Sequence, residues 1–144
     1  MATRGSRVNA DSVNVSGCKL GMWASRGAVI SAADAIADSC SVYGFYADMS
    51  ATINAHNASA LAAGTNMPVD TGTLVNPGSS VHAYRGSKIN FTSGKASGSH
   101  YGVSAVIDSD VAAFGLVANN CVTAAVFARS VSYTHLTLPT IYSV

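Results

Sequence analysis

Three short segments of one stretch decide the fold: Gly44-Phe45-Tyr46-Ala47, then Ala51-Thr52-Ile53-Asn54-Ala55, then Ala58-Ser59-Ala60. Segments of the same pattern recur along the chain, and each copy can be numbered from an anchor residue that opens its middle segment. The anchors are Ser6, Ala28, Ala51, Ser87 and Ser109. They lie 22 or 23 residues apart, except for the 36 residues between Ala51 and Ser87. An internal repeat of this period is typical of solenoid proteins.

Equivalent positions in the copies carry similar side chains. Four residues before the anchor stands an alanine: Ala2, Ala24, Ala47, Ala83, Ala105 and, opening a sixth copy, Ala128. Two residues after the anchor stands a β-branched residue: Val8, Ile30, Ile53, Ile89 and Val111. Six residues before the anchor stands a larger apolar residue: Met22, Phe45, Val81, Val103 and Val126. Alternation of such positions predicts β-strands, and the odd offsets between the three segments require turns between them.

Glycines indicate where the chain turns. They recur one residue before the anchor, at Gly5, Gly27 and Gly86, and seven residues before it, at Gly21, Gly44 and Gly102. We interpret both positions as corners, which gives three strands and three corners in each copy. The predicted fold is all-β: a single-stranded parallel β-helix, or β-solenoid, with about 22 residues per coil. A right-handed coil is expected, because parallel crossovers are almost always right-handed.

Stacked coils place equivalent residues above one another, so the Ile/Val, Ala and Met/Phe/Val columns are expected to face inward. Five to six coils at about 4.8 Å per coil form a rod roughly 25 Å long. Neither end carries a recognisable cap, and uncapped solenoid ends expose unpaired strand edges. We therefore expect the isolated chain to aggregate, to trimerise or to fold poorly.

The repeat domain spans residues 2–129, and two segments depart from it. The long anchor spacing predicts a loop at 65–79, protruding between the third and fourth coils. Residues 130–144 change composition abruptly, and Val131-Ser132-Tyr133-Thr134-His135-Leu136-Thr137-Leu138-Pro139-Thr140 resembles the translation of a transposon-end sequencing adapter. We expect 130–144 to be an artefactual tail, with the natural chain continuing differently.

Composition limits the classes of partner. Only 10% of the residues are charged and the formal net charge is +1. Nucleic-acid binding requires clustered Lys and Arg, so a nucleic-acid partner is not expected. No run of about 18 apolar residues occurs, so membrane insertion is not expected either. The sequence contains no motif for a cofactor.

The three cysteines share one position in the repeat. Cys18, Cys40 and Cys121 each lie twelve residues after an anchor. We interpret them as inward-facing, buried thiols. Because Cys18 and Cys40 are stacked neighbours, a disulfide between them stays open as an alternative. A metal site is the least favoured reading, since no CxxC motif or nearby histidine supports it.

A second shared position carries aromatic side chains. Five residues before the anchor, on the predicted outer face, the copies have Trp23, Tyr46, His82, Ser104 and Phe127, and Tyr84 lies on the same face. An exposed aromatic column can stack on sugar rings or pack against a partner chain. We predict glycan contact by Trp23, Tyr46, His82 and Tyr84, with plain strand decoration or a subunit interface as the alternatives.

Asp108 and Asp110 are the only candidate for a catalytic acid pair that the spacing suggests. Two residues along a strand are about 6.6 Å apart, a separation compatible with glycoside hydrolysis. However, Asp110 occupies the same position as Lys88 one coil earlier, so a solvated ion pair explains it better. We therefore expect no catalytic residues.

The repeat units resemble those of a known family. Ala2-Thr3-Arg4-Gly5-Ser6-Arg7-Val8-Asn9-Ala10 and Tyr43-Gly44-Phe45-Tyr46-Ala47, followed by Ala51-Thr52-Ile53-Asn54-Ala55, are similar to repeats of bacteriophage tail-fibre and tailspike-like β-helix proteins. Similar repeats occur in bacterial surface adhesin-like proteins. The resemblance implies an elongated, often homotrimeric shaft on a virion tail appendage or at the cell surface.

The resemblance also implies a role. The expected function is a structural and receptor-contact segment of a phage tail fibre or tailspike that presents a repetitive surface to host glycans. A bacterial surface adhesin-like solenoid is the alternative. A polysaccharide-cleaving β-helix enzyme is the third class, but such enzymes need a groove lined by Asp, Glu, Arg or Lys, and the sequence shows no such cluster.

Overall fold

A computed structural model describes residues 1–64 and 78–129 and the backbone of the strand at 133–135. These parts of the chain contain β-strands and no helix. The strands are β1 Ala2–Thr3, β2 Arg7–Asn9, β3 Leu20–Ser25, β4 Val29–Ser31, β5 Tyr43–Asp48, β6 Thr52–Asn54, β7 Ser79–Tyr84, β8 Lys88–Asn90, β9 Tyr101–Val106, β10 Asp110–Ala112, β11 Ala124–Arg129 and β12 Tyr133–His135.

The strands form two parallel sheets, and each coil gives one strand to each sheet. Sheet 1 has the order β1-β3-β5-β7-β9-β11, and sheet 2 has the order β12-β10-β8-β6-β4-β2. The register pairs the predicted columns without a slip: Ala24 with Ala47, for example, and Ile53 with Ile89. The predicted β-solenoid is therefore confirmed, with stacked coils about 23 residues apart and about five turns. Its right-handedness stays a prediction.

The predicted third strand is reduced to a single bridge per coil. Five residues, each eight after its anchor, pair in sequence along the rod: Asn14, Ile36, Ser59, Lys95 and Val117. The prediction of a full strand here was wrong, because turns on both sides leave only this one residue extended. The alanines that flank the bridge in the second, third and fourth coils still face inward and are buried, and Ala118 in the fifth coil is partly buried, so this wall closes the core as expected.

Columnar burial holds the coils together. Ile30, Ile53 and Ile89 are at most 2% exposed, and they lie directly above one another. Full burial of a side chain of this size stabilises the fold by about 1.5–3 kcal/mol. The equivalent Val8 in the first coil is 39% exposed, because no described coil covers its outer side. A single coil thus cannot bury its own apolar face, and the stack does so.

Left-handed backbone marks the corners. Apart from Gly64, every residue with positive φ in the described coils falls at one of four positions counted from the anchor. These are two before it (Arg4, Arg26, Met49, Arg85, Ile107), one before it (Gly5, Gly27, Ser50, Gly86, Asp108), six after it (Ser12, Asp34, Asn57, Ser93, Gly115) and eleven after it (Gly17, Ser39, Ala62, Gly98, Asn120). Glycine indicated only the second of these, because Arg, Met and Ile fill the first position and Ser, Asp and Asn often fill the last two.

The glycines seven before the anchor are not at corners. Gly21, Gly44 and Gly102 lie inside β3, β5 and β9, which corrects the prediction. They are needed for close approach instead: a Cβ on Gly44 would lie 2.6 Å from the Cβ of Ala60 and 2.8 Å from the carbonyl oxygen of Ser80. In the fourth coil Ser80 takes this place, and its hydroxyl donates to the carbonyl of Ala60.

The left-handed backbone conformation at the corner residue Ile107 is strained, and a substitution can relieve this strain. Ile107 has φ 53°, a region that β-branched residues avoid at a cost of about 1–2 kcal/mol. Ile107→Asn is expected to raise the free energy of unfolding in urea by about 1 kcal/mol. The matched control is Ile36→Asn, at an exposed isoleucine outside the left-handed region. If the two variants were equally stable, the strain at Ile107 would be refuted.

The predicted loop at 65–79 and the predicted artefactual tail at 130–144 both stay predictions. Most of the predicted loop, residues 65–77, lies outside the described residues, and β7 already begins at Ser79. Within the segment predicted to derive from an adapter, Tyr133–His135 forms β12 and pairs in parallel with Asp110–Ala112. In the parts of the chain that the structure describes, no helix is long and apolar enough to cross a membrane.

Candidate functional site

The outer face of sheet 1 brings the predicted contact residues together. Positions five and three before the anchor both point outward, and the second, third and fourth coils stack them in register. The result is a grid of two columns and three rows, which we call the aromatic face: Trp23 and Ser25, Tyr46 and Asp48, His82 and Tyr84. Rows are about 4.8 Å apart and the columns about 6.6 Å apart, as strand geometry dictates.

Within the aromatic face the rings stack mainly on one another. Tyr46 lies between Trp23, at 6.1 Å between ring centroids, and His82, at 5.6 Å. The ring of Tyr84 lies 6.0 Å from that of His82 and has the guanidinium of Arg85 4.8 Å from its centroid. Trp23 therefore lies at the end of this ring stack, where the register of the neighbouring pair Ala2–Ala24 places Met1, 77% exposed, beside it in the first coil. Tyr46 and Tyr84, by contrast, have ring or cation partners on both sides.

His82 is not exposed as predicted. Its side chain is fully buried, as is that of Ser104 in the next coil. The His82 Nδ1 hydrogen-bonds with the hydroxyl of Ser104, which is also 2.9 Å from the hydroxyl of Ser79. The ring stacks on Tyr43 at 4.9 Å with 6° between the planes. Burial lowers the pKa of His82 to about 3, so it supports neighbouring rings as a neutral imidazole and is not available to a ligand.

Asp48 is a member of the face that sequence reasoning missed. It is only 7% exposed, and burial raises the pKa of its carboxyl group although the Arg85 charge opposes the shift. The pKa of Tyr46 rises to about 12, first through burial and then through the charge of Asp48. The sequence did contain a signal for this position. Asp48 lies three residues before the anchor and two residues after Tyr46, so both side chains project from the same side of the strand.

Four buried polar atoms on this side of the rod have no hydrogen-bond partner among the described residues: Trp23 Nε1, Tyr43 Oη, Asp48 Oδ1 and His82 Nε2. Buried polar groups are nearly always paired, so the enclosed His82 calls for a bound water, and the other three atoms call for water or the polar groups of a ligand. Indole, phenol and carboxylate groups together offer donors and acceptors beside flat rings. This combination suits a ligand rich in hydroxyl groups.

The acidic pair does not have the predicted geometry. Asp108 lies in a turn with φ 54°, whereas Asp110 opens β10. The two are thus not successive outward residues of one strand, and the strand spacing that motivated a glycosidase pair does not apply. Asp110 does pair in register with Lys88, as predicted. Within the described residues, no three His, Cys, Asp or Glu side chains are grouped to hold a metal ion.

The cysteines follow the predicted column but differ in exposure. Cys40 is buried, Cys121 is partly buried and Cys18 is exposed, and all three thiols are free. Burial was therefore predicted correctly for Cys40. The prediction was wrong for Cys18, because this residue belongs to the first coil, whose outer side no described coil covers.

Comparisons with protein-family models, with curated proteins and with solved structures find no match. The fold and the aromatic face define the class of protein. The chain is a β-solenoid of about five turns that carries a stacked aromatic face on one side.

Proposed function

We propose that the chain is a structural and receptor-contact segment of a phage tail fibre or tailspike, with its aromatic face directed to host glycans. Such a segment is exposed on a virion, and the repeats resemble those of proteins that assemble as homotrimers. The observation that carries the proposal is the aromatic face itself: partly exposed rings held at fixed spacing beside unpaired polar groups. A rigid, repetitive surface of this kind suits a repetitive polymer, because successive sugars can meet successive coils.

A bacterial surface adhesin-like solenoid is the second candidate, since similar repeats occur there. It would use the same face and the same chemistry, so binding alone does not separate the two. The genes that neighbour the gene for this chain would separate the two candidates. Tail-assembly genes support the first candidate, and secretion genes support the second. A polysaccharide-cleaving enzyme is a weaker third candidate, which release of new reducing ends from a bound polysaccharide would establish.

The contact is predicted to depend on Trp23. Truncation in Trp23→Ala removes the half-buried ring at the end of the stack and is expected to weaken binding to a printed glycan panel roughly 3- to 10-fold. Because Trp23 is the only tryptophan, quenching of its fluorescence on titration with a glycan hit reports directly on this face.

The control variant is Phe114→Ala, which removes an aromatic ring that is 41% exposed on another side of the rod. It is expected to bind as the unmodified chain does. Equal losses of glycan binding in the two variants would contradict a specific role of the aromatic face in binding. A panel without any hit on the unmodified chain would refute glycan contact altogether.

A further inference from the structure

Cys18 and Cys40 occupy the same position in successive coils, and the backbone around them is tied together. The N–H of Gly17 donates to the carbonyl of Asp38 at 2.9 Å, and the N–H of Ser41 donates to the carbonyl of Cys18 at 2.9 Å. Hydrogen bonds on both sides fix the two coils at the spacing of neighbouring strands, about 4.8 Å. This spacing lies within the range of about 4.4–6.8 Å between Cα atoms that a disulfide requires.

The sulfur atom of Cys40 points towards the first coil. Its thiol donates to the carbonyl of Val15, which belongs to the first coil, with the sulfur 3.6 Å from the oxygen. Cys121 repeats this geometry and donates to the carbonyl of Ala96 in the fourth coil at 3.5 Å. Twelve residues after the anchor, a cysteine thus reaches down to the preceding coil. Only for Cys40 does that coil carry a cysteine at the same position, whereas Ser99 faces Cys121.

We propose that Cys18 and Cys40 are a disulfide site that fastens the first coil to the second under oxidising conditions. The proposal does not depend on glycan contact. Cys18 is exposed, so an oxidant reaches it, and the buried Cys40 is the one thiol placed to resolve the product. Cys121 lies near the other end of the rod and cannot compete within the same chain.

The reaction balances with oxidised glutathione, a small disulfide, as the oxidant. The Cys18 thiolate attacks one sulfur of glutathione disulfide, which forms a mixed disulfide and releases one glutathione thiolate. The Cys40 thiolate then attacks the Cys18 sulfur and releases the second glutathione. Two protein thiols lose two electrons and two protons, and one glutathione disulfide becomes two thiols. Burial raises the pKa of Cys40, so the second step is expected to accelerate as the pH rises.

The bond would fasten a coil that is incompletely covered. Core positions of the first coil are incompletely covered, as Val8 and Val13 show with exposures of 39% and 40%. An end coil of this kind opens more easily than the middle of the stack. A link between equivalent positions closes a loop of one full coil and removes conformational freedom from the opened state.

Digestion with trypsin tests the proposal, because the three cysteines fall on separate peptides: 8–19, 27–85 and 96–129. The full chain is oxidised with glutathione disulfide while folded, quenched with acid, and analysed with and without reduction. The expected result is a linked pair of peptides 8–19 and 27–85, with free thiols falling from three to one. The midpoint of thermal unfolding is expected to rise by about 5 °C or more.

Two variants complete the test. Cys121→Ser should keep the linked pair and lose its last free thiol. Cys18→Ser should give no linked pair and no rise in the unfolding midpoint. Three remaining thiols, a glutathione adduct that persists on Cys18, or a Cys18 link to Cys121 or to a second chain would each overturn the proposal. A linked pair without a rise in the midpoint would overturn the fastening role.

Discussion

Lowering the pH from 7 to 5 is expected to reduce the free energy of unfolding by about 2 kcal/mol, because His82 cannot accept a proton while the chain is folded. Burial lowers the pKa of His82 to about 3, whereas an unfolded histidine titrates near 6.5. Below pH 6.5 the unfolded state therefore binds a proton that the folded state excludes. The stability that His82 contributes is complete above its unfolded pKa and is lost progressively as the pH falls towards 3.

Two carboxyl groups with shifted pKa values also make the free energy of unfolding depend on pH. The pKa of Asp11 is lowered, chiefly by a hydrogen bond from Ser31, so its contribution is lost only at more acidic pH, below its unfolded value. The pKa of Asp48 is raised by burial, so protonation of Asp48 relieves the folded state and stability gains as the pH falls. The decline expected between pH 7 and pH 5 is therefore assigned to His82, and the raised pKa of Asp48 acts in the opposite direction.

The measurement is urea unfolding at pH 7, 6 and 5 with matched variants. His82→Phe keeps a flat ring in the stack without a titrating group, and its stability is expected to vary little across this range. His56→Gln removes an exposed histidine and should retain the decline. An unmodified chain that is equally stable at pH 7 and pH 5, or a His82→Phe variant with the same decline, would contradict the assignment.

Gly94→Ala is expected to destabilise the chain by about 1–3 kcal/mol, the usual cost of overpacking a core. A Cβ at this position would lie 2.3 Å from an atom of the Phe91 ring. Phe91 replaces the alanine found four residues after the other anchors, and Gly94 replaces a larger residue three positions later. The fourth coil thus exchanges volume between two positions: its phenylalanine fits because its glycine leaves room.

A double-mutant cycle separates this exchange from any intrinsic effect of alanine. Phe91→Ala alone should cost about 3–5 kcal/mol through lost burial and a cavity. In that background Gly94→Ala is expected to be neutral or stabilising, because the new methyl group enters the vacated space and the combination restores the Ala/Ala pairing of the second and third coils. The sign of the Gly94→Ala effect should therefore reverse.

Gly86→Ala is the matched control for this cycle. Gly86 has φ 72°, and a Cβ there would find its nearest neighbour at 3.5 Å, so the cost of alanine comes from the backbone and not from packing. That cost should be the same in the unmodified chain and in the Phe91→Ala background. If Gly94→Ala were equally harmful in both backgrounds, the volume exchange would be refuted.

For the aromatic face, the sequence predicted the positions of the residues but not their exposure. The spacing placed Trp23, Tyr46 and His82 in one column, and the register confirms it. Exposure could not be predicted, since it depends on what surrounds a column: His82 is buried, whereas Trp23 and Tyr46 are only half-buried. Asp48 was not predicted to belong to the aromatic face, because a single acidic residue on an outer face is expected to be solvated. Its burial became evident only from the structure.

The sequence by itself determined the coil, the register and the inward columns, because stacking repeats the same contact in every coil and leaves a periodic record along the chain. Only the tertiary structure decided why particular residues stand at particular places. The period marked Gly21, Gly44 and Gly102 but did not show the reason, which is that atoms from other segments occupy the space of a Cβ there. Gly94 leaves room for the ring of Phe91 in the fourth coil alone, and an exchange that occurs in one coil leaves no period in the sequence.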